Sequence, residues 1–214
     1  MNGYSYSNRA VFLANDTQGL LKNLLAEIRI FDLEANKVLH KRLNVDGRPE
    51  SPQELLALPD LPGISVTYFL DLRLFDSDGT QIASNFYWLS TKPDILDYEA
   101  KVDPWEYYTP GKQFADFTLL NSLPSTTVEV QTDLRTENDS SIFSVELKNM
   151  GNSIAFAIEL NAIDANTGAG IAPVFWQDNY LTLLPRESRT IEAALSKTAS
   201  NVSLDIHGWN VEKV

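Results

Sequence analysis

Val66-Thr67-Tyr68-Phe69-Leu70-Asp71-Leu72-Arg73-Leu74 decides the fold class. Val66, Tyr68, Leu70, Leu72 and Leu74 recur at every second position, with Thr67, Asp71 and Arg73 among the residues between them. A period of two places all five on one face of an extended chain, the signature of a strand with one buried side. The same alternation recurs in Val128-Val130-Thr132-Leu134, Phe143-Val145-Leu147, Ile154-Phe156-Ile158-Leu160 and Val202-Leu204-Ile206. Three segments share a turn pattern in which an apolar strand end reaches an Asp: Ile30-Phe31-Asp32 to Asn36, Leu74-Phe75-Asp76-Ser77-Asp78-Gly79, and Ala162-Ile163-Asp164 to Gly168. Asp accepts hydrogen bonds from the backbone ahead of it, while Gly or Asn tolerates the positive φ of a tight hairpin. The one helix candidate, Pro52 to Leu58, reads as a single turn of helix or a crossing segment. Without strand–helix–strand alternation, the expected fold class is all-β, antiparallel and rich in hairpins.

The strand-like segments fall into two blocks. Residues 9–90 hold roughly six and residues 116–212 roughly seven, the number in an immunoglobulin-like β-sandwich. Between them, Pro93, Pro104, Pro110 and Gly111 interrupt any ladder. The expected organisation is two immunoglobulin-like β-sandwich domains, 1–90 and 116–214, joined by a Pro- and aromatic-rich linker over 91–115. The 214 residues suffice for two domains of about a hundred residues each.

Composition closes off many functions. There are 17 Lys and Arg against 29 Asp and Glu, a net charge of −12, and the densest basic run is His40-Lys41-Arg42 with Arg48 nearby. Phosphate backbones require clustered cations, so nucleic acid is not an expected partner. The acidity is uneven: residues 1–92 carry 9 basic and 11 acidic groups, whereas 116–214 carry 6 and 13. With no Cys, and only His40 and His207 far apart in sequence, neither a thiolate nucleophile nor a Cys- or His-built metal site is expected. No cofactor is expected either. Asp76-Ser77-Asp78-Gly79 lacks the rest of a calcium loop, because Leu74 and Asn85 stand where carboxylates are needed. Gly168-Ala169-Gly170 lacks the Lys and the helix of a phosphate loop, and no GxSxG elbow is present. Apolar runs such as Ile154 to Ile158 are far shorter than the ~20 residues of a membrane-spanning helix.

Carboxylates are the one abundant group of catalytic type. A glycosidase needs two of them roughly 5–9 Å apart across a sugar cleft, and spacing alone pairs none of the 29. The aromatics are more concentrated: Phe86-Tyr87-Trp88, then Tyr98, Trp105, Tyr107 and Tyr108, then Phe175-Trp176 and Tyr180. Such rings either anchor a Pro-rich linker against its neighbours or stack on sugar faces. Trp105, Tyr107, Tyr108, Trp176 and Tyr180 are the carbohydrate-contact candidates.

Three stretches carry a family resemblance. Asn85-Phe86-Tyr87-Trp88-Leu89-Ser90-Thr91-Lys92-Pro93-Asp94-Ile95-Leu96-Asp97-Tyr98 resembles the end of the immunoglobulin-like domain that follows the barrel in exo-β-D-glucosaminidases and β-mannosidases of glycoside hydrolase family 2. Ala115-Asp116-Phe117-Thr118-Leu119-Leu120-Asn121-Ser122-Leu123-Pro124 is similar to the entry into their last such domain. Phe175-Trp176-Gln177-Asp178-Asn179-Tyr180, with Leu184-Pro185-Arg186-Glu187, resembles the Trp-Ser-Asp-Asn-Tyr strand and Leu-Pro-Gly-Glu turn late in that domain. Gln177 and Arg186 depart from the pattern, replacing Ser and Gly.

The resemblance implies a scaffold that packs on a catalytic (β/α)₈ barrel, the expected partner, with an oligosaccharide as a second candidate partner. A barrel needs about 250 residues of its own, so no catalytic residue carries over and this chain alone is not expected to be catalytic. The implied parent reaction is retaining hydrolysis of a terminal β-linked sugar. Two other readings stay open: a stand-alone carbohydrate-binding module using the exposed aromatics, and a structural or adhesive pair of immunoglobulin-like domains. Met1 to Tyr6 has neither the basic nor the apolar region of a signal peptide. Sequons stand at Asn15, Asn138 and Asn201, and the resemblance favours export of a parent enzyme to an extracytoplasmic site.

Overall fold

In the computed structural model the described residues are 1–137, 140–195 and 201–212, and they divide into two compact units, 1–122 and 123–214. The chain is all-β, with one short turn of 3₁₀ helix at Thr118–Ser122. No helix among the described residues is long and apolar enough to cross a membrane.

The first unit contains β1 (Asn2–Ser5), β2 (Ala10–Leu13), β3 (Leu21–Phe31), β4 (Lys37–Gly47), β5 (Gln53–Ala57), β6 (Thr67–Phe75) and β7 (Gln81–Ser90). They form two sheets, β1-β2-β5 and β4-β3-β6-β7. Between the sheets lie Val11, Ile28, Ile30, Leu70, Leu72 and Leu89, so this unit is an immunoglobulin-like sandwich. After β7 come the two short strands β8 (Ile95–Leu96) and β9 (Gly111–Gln113), which pair with each other. The segment between them is fastened by Lys112 to Asp97 (3.0 Å).

The second unit contains β10 (Thr126–Glu137), β11 (Ser140–Asn149), β12 (Ala155–Asp164), β13 (Val174–Trp176), β14 (Leu181–Leu183), β15 (Ser188–Leu195), β16 (Val202–His207) and β17 (Val211–Glu212). A five-stranded sheet, β13-β15-β11-β10-β17, faces a three-stranded one, β14-β12-β16. Val128, Phe143, Val145 and Ile191 from the first meet Ile158, Leu160, Leu181 and Leu183 from the second. Asn149 is fully buried and saturates this interior: its amide donates to the carbonyls of Ser153, Leu183 and Leu184, and its oxygen accepts from Thr126 Oγ1 and Gly151 N. An unpaired amide there would be costly, so full satisfaction lets a polar residue lock the loop ends together.

Simple alternation misreads four places. The 52–58 segment is strand β5 rather than helix. A register shift against β2 between Val11 and Phe12 lets both Leu55 and Leu56 turn toward the interior. In β12, Ala157 has φ 50°, and the pairing with β14 shifts there. Ala155 and Ile158 therefore share the cluster between the sheets, while Phe156, buried as well, lies outside that cluster and meets the Trp209 ring at 6.4 Å. In β6 the second face is buried too. Phe69 lies 5.4 Å from Phe86, and Asp71 is held by Arg29, whose Nε is 2.8 Å away, and by Arg73. At the far end of β10, Leu134 is exposed, because three strands cannot cover five.

The Asp-led turns follow their chemistry. Asp76 Oδ1 accepts from the backbone of Asp78 and Thr80, with Gly79 at φ 81°. Asp164 Oδ1 accepts from the backbone of Asn166 and Thr167, with Gly168 at φ 71°. Asp32 binds the Asn36 N–H, but the positive φ of that turn belongs to Ala35. Among the sequons, the buried Asn15 amide donates to the Gly19 and Gly47 carbonyls and is closed to a glycosyl donor in the folded chain. Asn201 is exposed, and Asn138 lies outside the described residues.

Candidate functional site

The five aromatic candidates separate by unit. Trp105, Tyr107 and Tyr108 lie on the segment between β8 and β9 and are 84%, 92% and 60% exposed. Backbone bonds such as Glu106 N to Asp103 O shape this segment; Tyr98 on the same stretch is exposed as well, as is Phe114 just after β9. Trp176 and Tyr180 lie in the second unit, where they line one groove of about 530 Å³ together with Glu159, Asn161, Asn179 and Asp205.

That groove is built by the Trp176–Tyr180 motif, in which each residue has a distinct task. Trp176 packs against the core, its ring 6.2 Å from that of Phe143. Gln177 exchanges backbone and side-chain hydrogen bonds with Glu192, and Asp178 pairs with Arg189 at 2.8 Å. Asn179 clamps Leu160: its oxygen accepts from Leu160 N (2.8 Å) and its amide donates to Leu160 O (2.9 Å). The clamp substitutes for ladder bonds where β14 has shifted away from β12. Tyr180 follows at φ 54°, with its ring 65% exposed and its hydroxyl donating to Glu159 Oε1 at 3.0 Å. That hydrogen bond and the nearby carboxylate charge hold the Tyr180 phenol above its ordinary pKa. Asn161 stands opposite Asp205 across the β12–β16 pair, and Asp205 binds His207 Nε2 at 2.8 Å. Among the described residues, no Lys or Arg lines the groove.

Sequence reasoning found the two aromatics and missed Glu159, Asn161, Asn179 and Asp205. The alternation of β12 already turned Glu159 and Asn161 outward. The β12–β16 register that adds Asp205 is a long-range pairing with no local signal.

A second concavity, of about 770 Å³, lies in the first unit and includes Tyr4, Tyr6, Arg9, Asp60, Tyr68 and Lys92 in its lining. Tyr4 and Tyr6 meet edge to face at 5.0 Å, and Tyr87 OH accepts from the Tyr4 backbone. Arg9 and Asp60 bind each other at 3.1 Å. Burial raises the pKa of both Tyr4 and Tyr68. Among the described residues, no group of three or more His, Asp or Glu is arranged to hold a metal ion.

Comparison with known proteins places this architecture. Residues 106–211 match the family model for the exo-beta-D-glucosaminidase Ig-fold domain. The chain is 31% identical over 210 residues to an exo-beta-D-glucosaminidase of Arthroderma benhamiae, covering 98% of this chain and 23% of that protein. It is 32% identical to the enzyme of the same name from Amycolatopsis orientalis, covering 97% and 20%. The solved structure of the Amycolatopsis orientalis exo-chitosanase CsxA superposes with a TM-score of 0.90 at 30% identity, over 98% of this chain and 25% of that one. A beta-D-mannosidase from Dictyoglomus thermophilum shares the fold, with a TM-score of 0.53 at 17% identity. The chain thus spans about a fifth to a quarter of the length of the relatives it matches. It belongs to the immunoglobulin-like region of the exo-β-D-glucosaminidases, with residues 106–211 as their Ig-fold domain.

Proposed function

We propose that this chain is the non-catalytic scaffold of an exo-acting β-glycosidase of glucosaminidase type, with a (β/α)₈ catalytic barrel as its partner. The observation that carries this reading is coverage: similarity runs along 98% of this chain yet accounts for only 23% of the Arthroderma benhamiae enzyme. Retaining hydrolysis of a terminal β-linked amino sugar would use a nucleophile and an acid/base supplied by the barrel. In this reading, residues 1–90 and 116–214 are the two sandwiches and 91–115 the segment connecting them. Trp105, Tyr107 and Tyr108 serve as apolar anchors against the catalytic part, which accounts for so much exposed ring area on one short stretch.

The test is hydrolysis of 4-nitrophenyl β-D-glucosaminide by the 214-residue chain. No turnover is expected. Turnover that disappears when one of the chain's own carboxylates is replaced overturns the assignment.

The same exposure favours a second reading, in which Trp105, Tyr107 and Tyr108 stack on sugar as a binding module. Trp105→Ala separates the two. Loss of oligosaccharide binding supports the module, whereas loss of association with the catalytic part supports the scaffold.

A further inference from the structure

We propose that the groove lined by Glu159, Trp176, Tyr180 and Asp205 in the second unit is a binding site for β-linked amino-sugar oligomers. The sugar class rests on the glucosaminidase reading above, and the site itself rests on geometry within the second unit.

Tyr180 is the central feature. An aromatic residue with a left-handed backbone is strained, and burial does not compensate, because Tyr180 is 65% exposed. The fold nevertheless fixes it from both sides. Asn179 clamps Leu160, and the Tyr180 hydroxyl is tied to Glu159. A rigid ring presented to solvent, in a groove whose lining also includes the core-packed Trp176, suits the C–H face of a pyranose.

The polar groups select the kind of sugar. Glu159 and Asp205 both line the groove, and among the described residues no Lys or Arg does. Glu159 stands opposite His207, two positions along β16 from Asp205, a diagonal that places their Cα atoms roughly 7–8 Å apart. Two carboxylates at that separation can each receive an ammonium group from one oligomer, as charge-assisted hydrogen bonds. Asn161, facing Asp205 across the strand pair, supplies a donor and an acceptor for ring hydroxyls. The chain's net charge of −12 adds a long-range attraction for a polycation. Neutral oligomers would receive the stacking without the ion pairs.

The experiment titrates the 214-residue chain with a fully deacetylated glucosamine tetramer and, in parallel, with an N-acetylglucosamine tetramer, following backbone amide NMR shifts. The expected result is saturable binding of the glucosamine tetramer that perturbs residues 159–161, 176–180 and 205. It should weaken at least tenfold for the N-acetyl tetramer and fall as salt is raised. Glu159→Gln and Asp205→Asn should each weaken it about fivefold, and Tyr180→Ala should abolish it. Tyr180→Phe, which keeps the ring, should retain it, and Trp105→Ala should leave it unchanged. No saturable binding, equal affinity for the two tetramers, or indifference to Glu159→Gln in a folded variant overturns the proposal. Release of glucosamine by the polypeptide that carries this chain is measured separately, so failure of the groove and failure of the glucosaminidase reading are told apart.

Discussion

Arg186 occupies the position where the related turn carries Gly, and the structure gives the reason that Gly suits it: φ at Arg186 is 64°. A side chain with a Cβ in that region costs about 1–2 kcal/mol relative to an ordinary conformation, and Gly is spared most of that cost. Replacement by Gly alone mixes three effects. It relieves the strain, increases the freedom of the unfolded chain by about 0.5–1 kcal/mol, and deletes the exposed bond from Arg186 to Asn152 Oδ1 at 3.0 Å. Arg186→Ala deletes the same bond and keeps the strain, so the difference between the two variants isolates the backbone term. Arg186→Gly should be more stable than Arg186→Ala by about 1 kcal/mol. For a unit the size of 123–214, that corresponds to roughly 4–8 °C in melting temperature. Trp176 and Trp209 both lie in this unit, so its unfolding is followed by tryptophan fluorescence. An Ala variant as stable as the Gly variant refutes the left-handed assignment at this turn.

Three other outcomes follow from the geometry. Asn149→Ala strands the Gly151 N–H and removes the cross-links to Ser153, Leu183 and Leu184, so it should cost about 3–5 kcal/mol and lower the urea midpoint of the second unit; a loss below about 1 kcal/mol contradicts the buried hub. The Tyr180 phenol should titrate above an exposed tyrosine in ultraviolet difference spectra, and Glu159→Gln should return it to the ordinary range. Acid should destabilise the chain through several carboxylates. In Glu27, burial pushes the pKa up but is outweighed by His40, Arg29 and Arg42; Asp97 is lowered by Lys112, Asp116 by the Thr118 hydroxyl, and Asp164 by the Thr167 backbone N–H. Their folded-state pKa values lie below the unfolded ones, so their stabilisation is complete above the unfolded carboxylate range near ~4 and is lost as pH falls through the depressed values. Melting temperatures that rise on acidification from pH 5 to pH 2.5 contradict this sign.

The two-fold hydrophobic alternation made β11 and β16 legible, because in each case one face packs a core and the local pattern records it, whereas in β6 it recorded only one of two buried faces. It failed at Ala157, where a single left-handed residue put Ala155 in the cluster between the sheets and left Phe156 buried outside that cluster. That bulge is set by the pairing of β12 with β14 and leaves no mark in the alternation. It failed at Gln53–Ala57 because paired leucines suit helix and strand alike until a neighbouring strand claims them. Asp71 read as an outward, solvated residue, and only the arrival of Arg29 from β3 and Arg73 from its own strand explains a carboxylate buried there. The groove was half visible, since Tyr180 and Trp176 stand in one motif. Glu159, Asn161, Asn179 and Asp205 reach it by tertiary pairing.

The central claim is that this chain belongs to an exo-acting glucosaminidase and supports its catalysis without performing it. The direct measurement is product analysis with the polypeptide that contains both this chain and its catalytic part, acting on a reducing-end-labelled glucosamine hexamer. The expected result is release of single glucosamine units from the non-reducing end, giving a ladder of labelled pentamer, tetramer and trimer. Internal cleavage into dimers and tetramers, or no release of glucosamine, would contradict it.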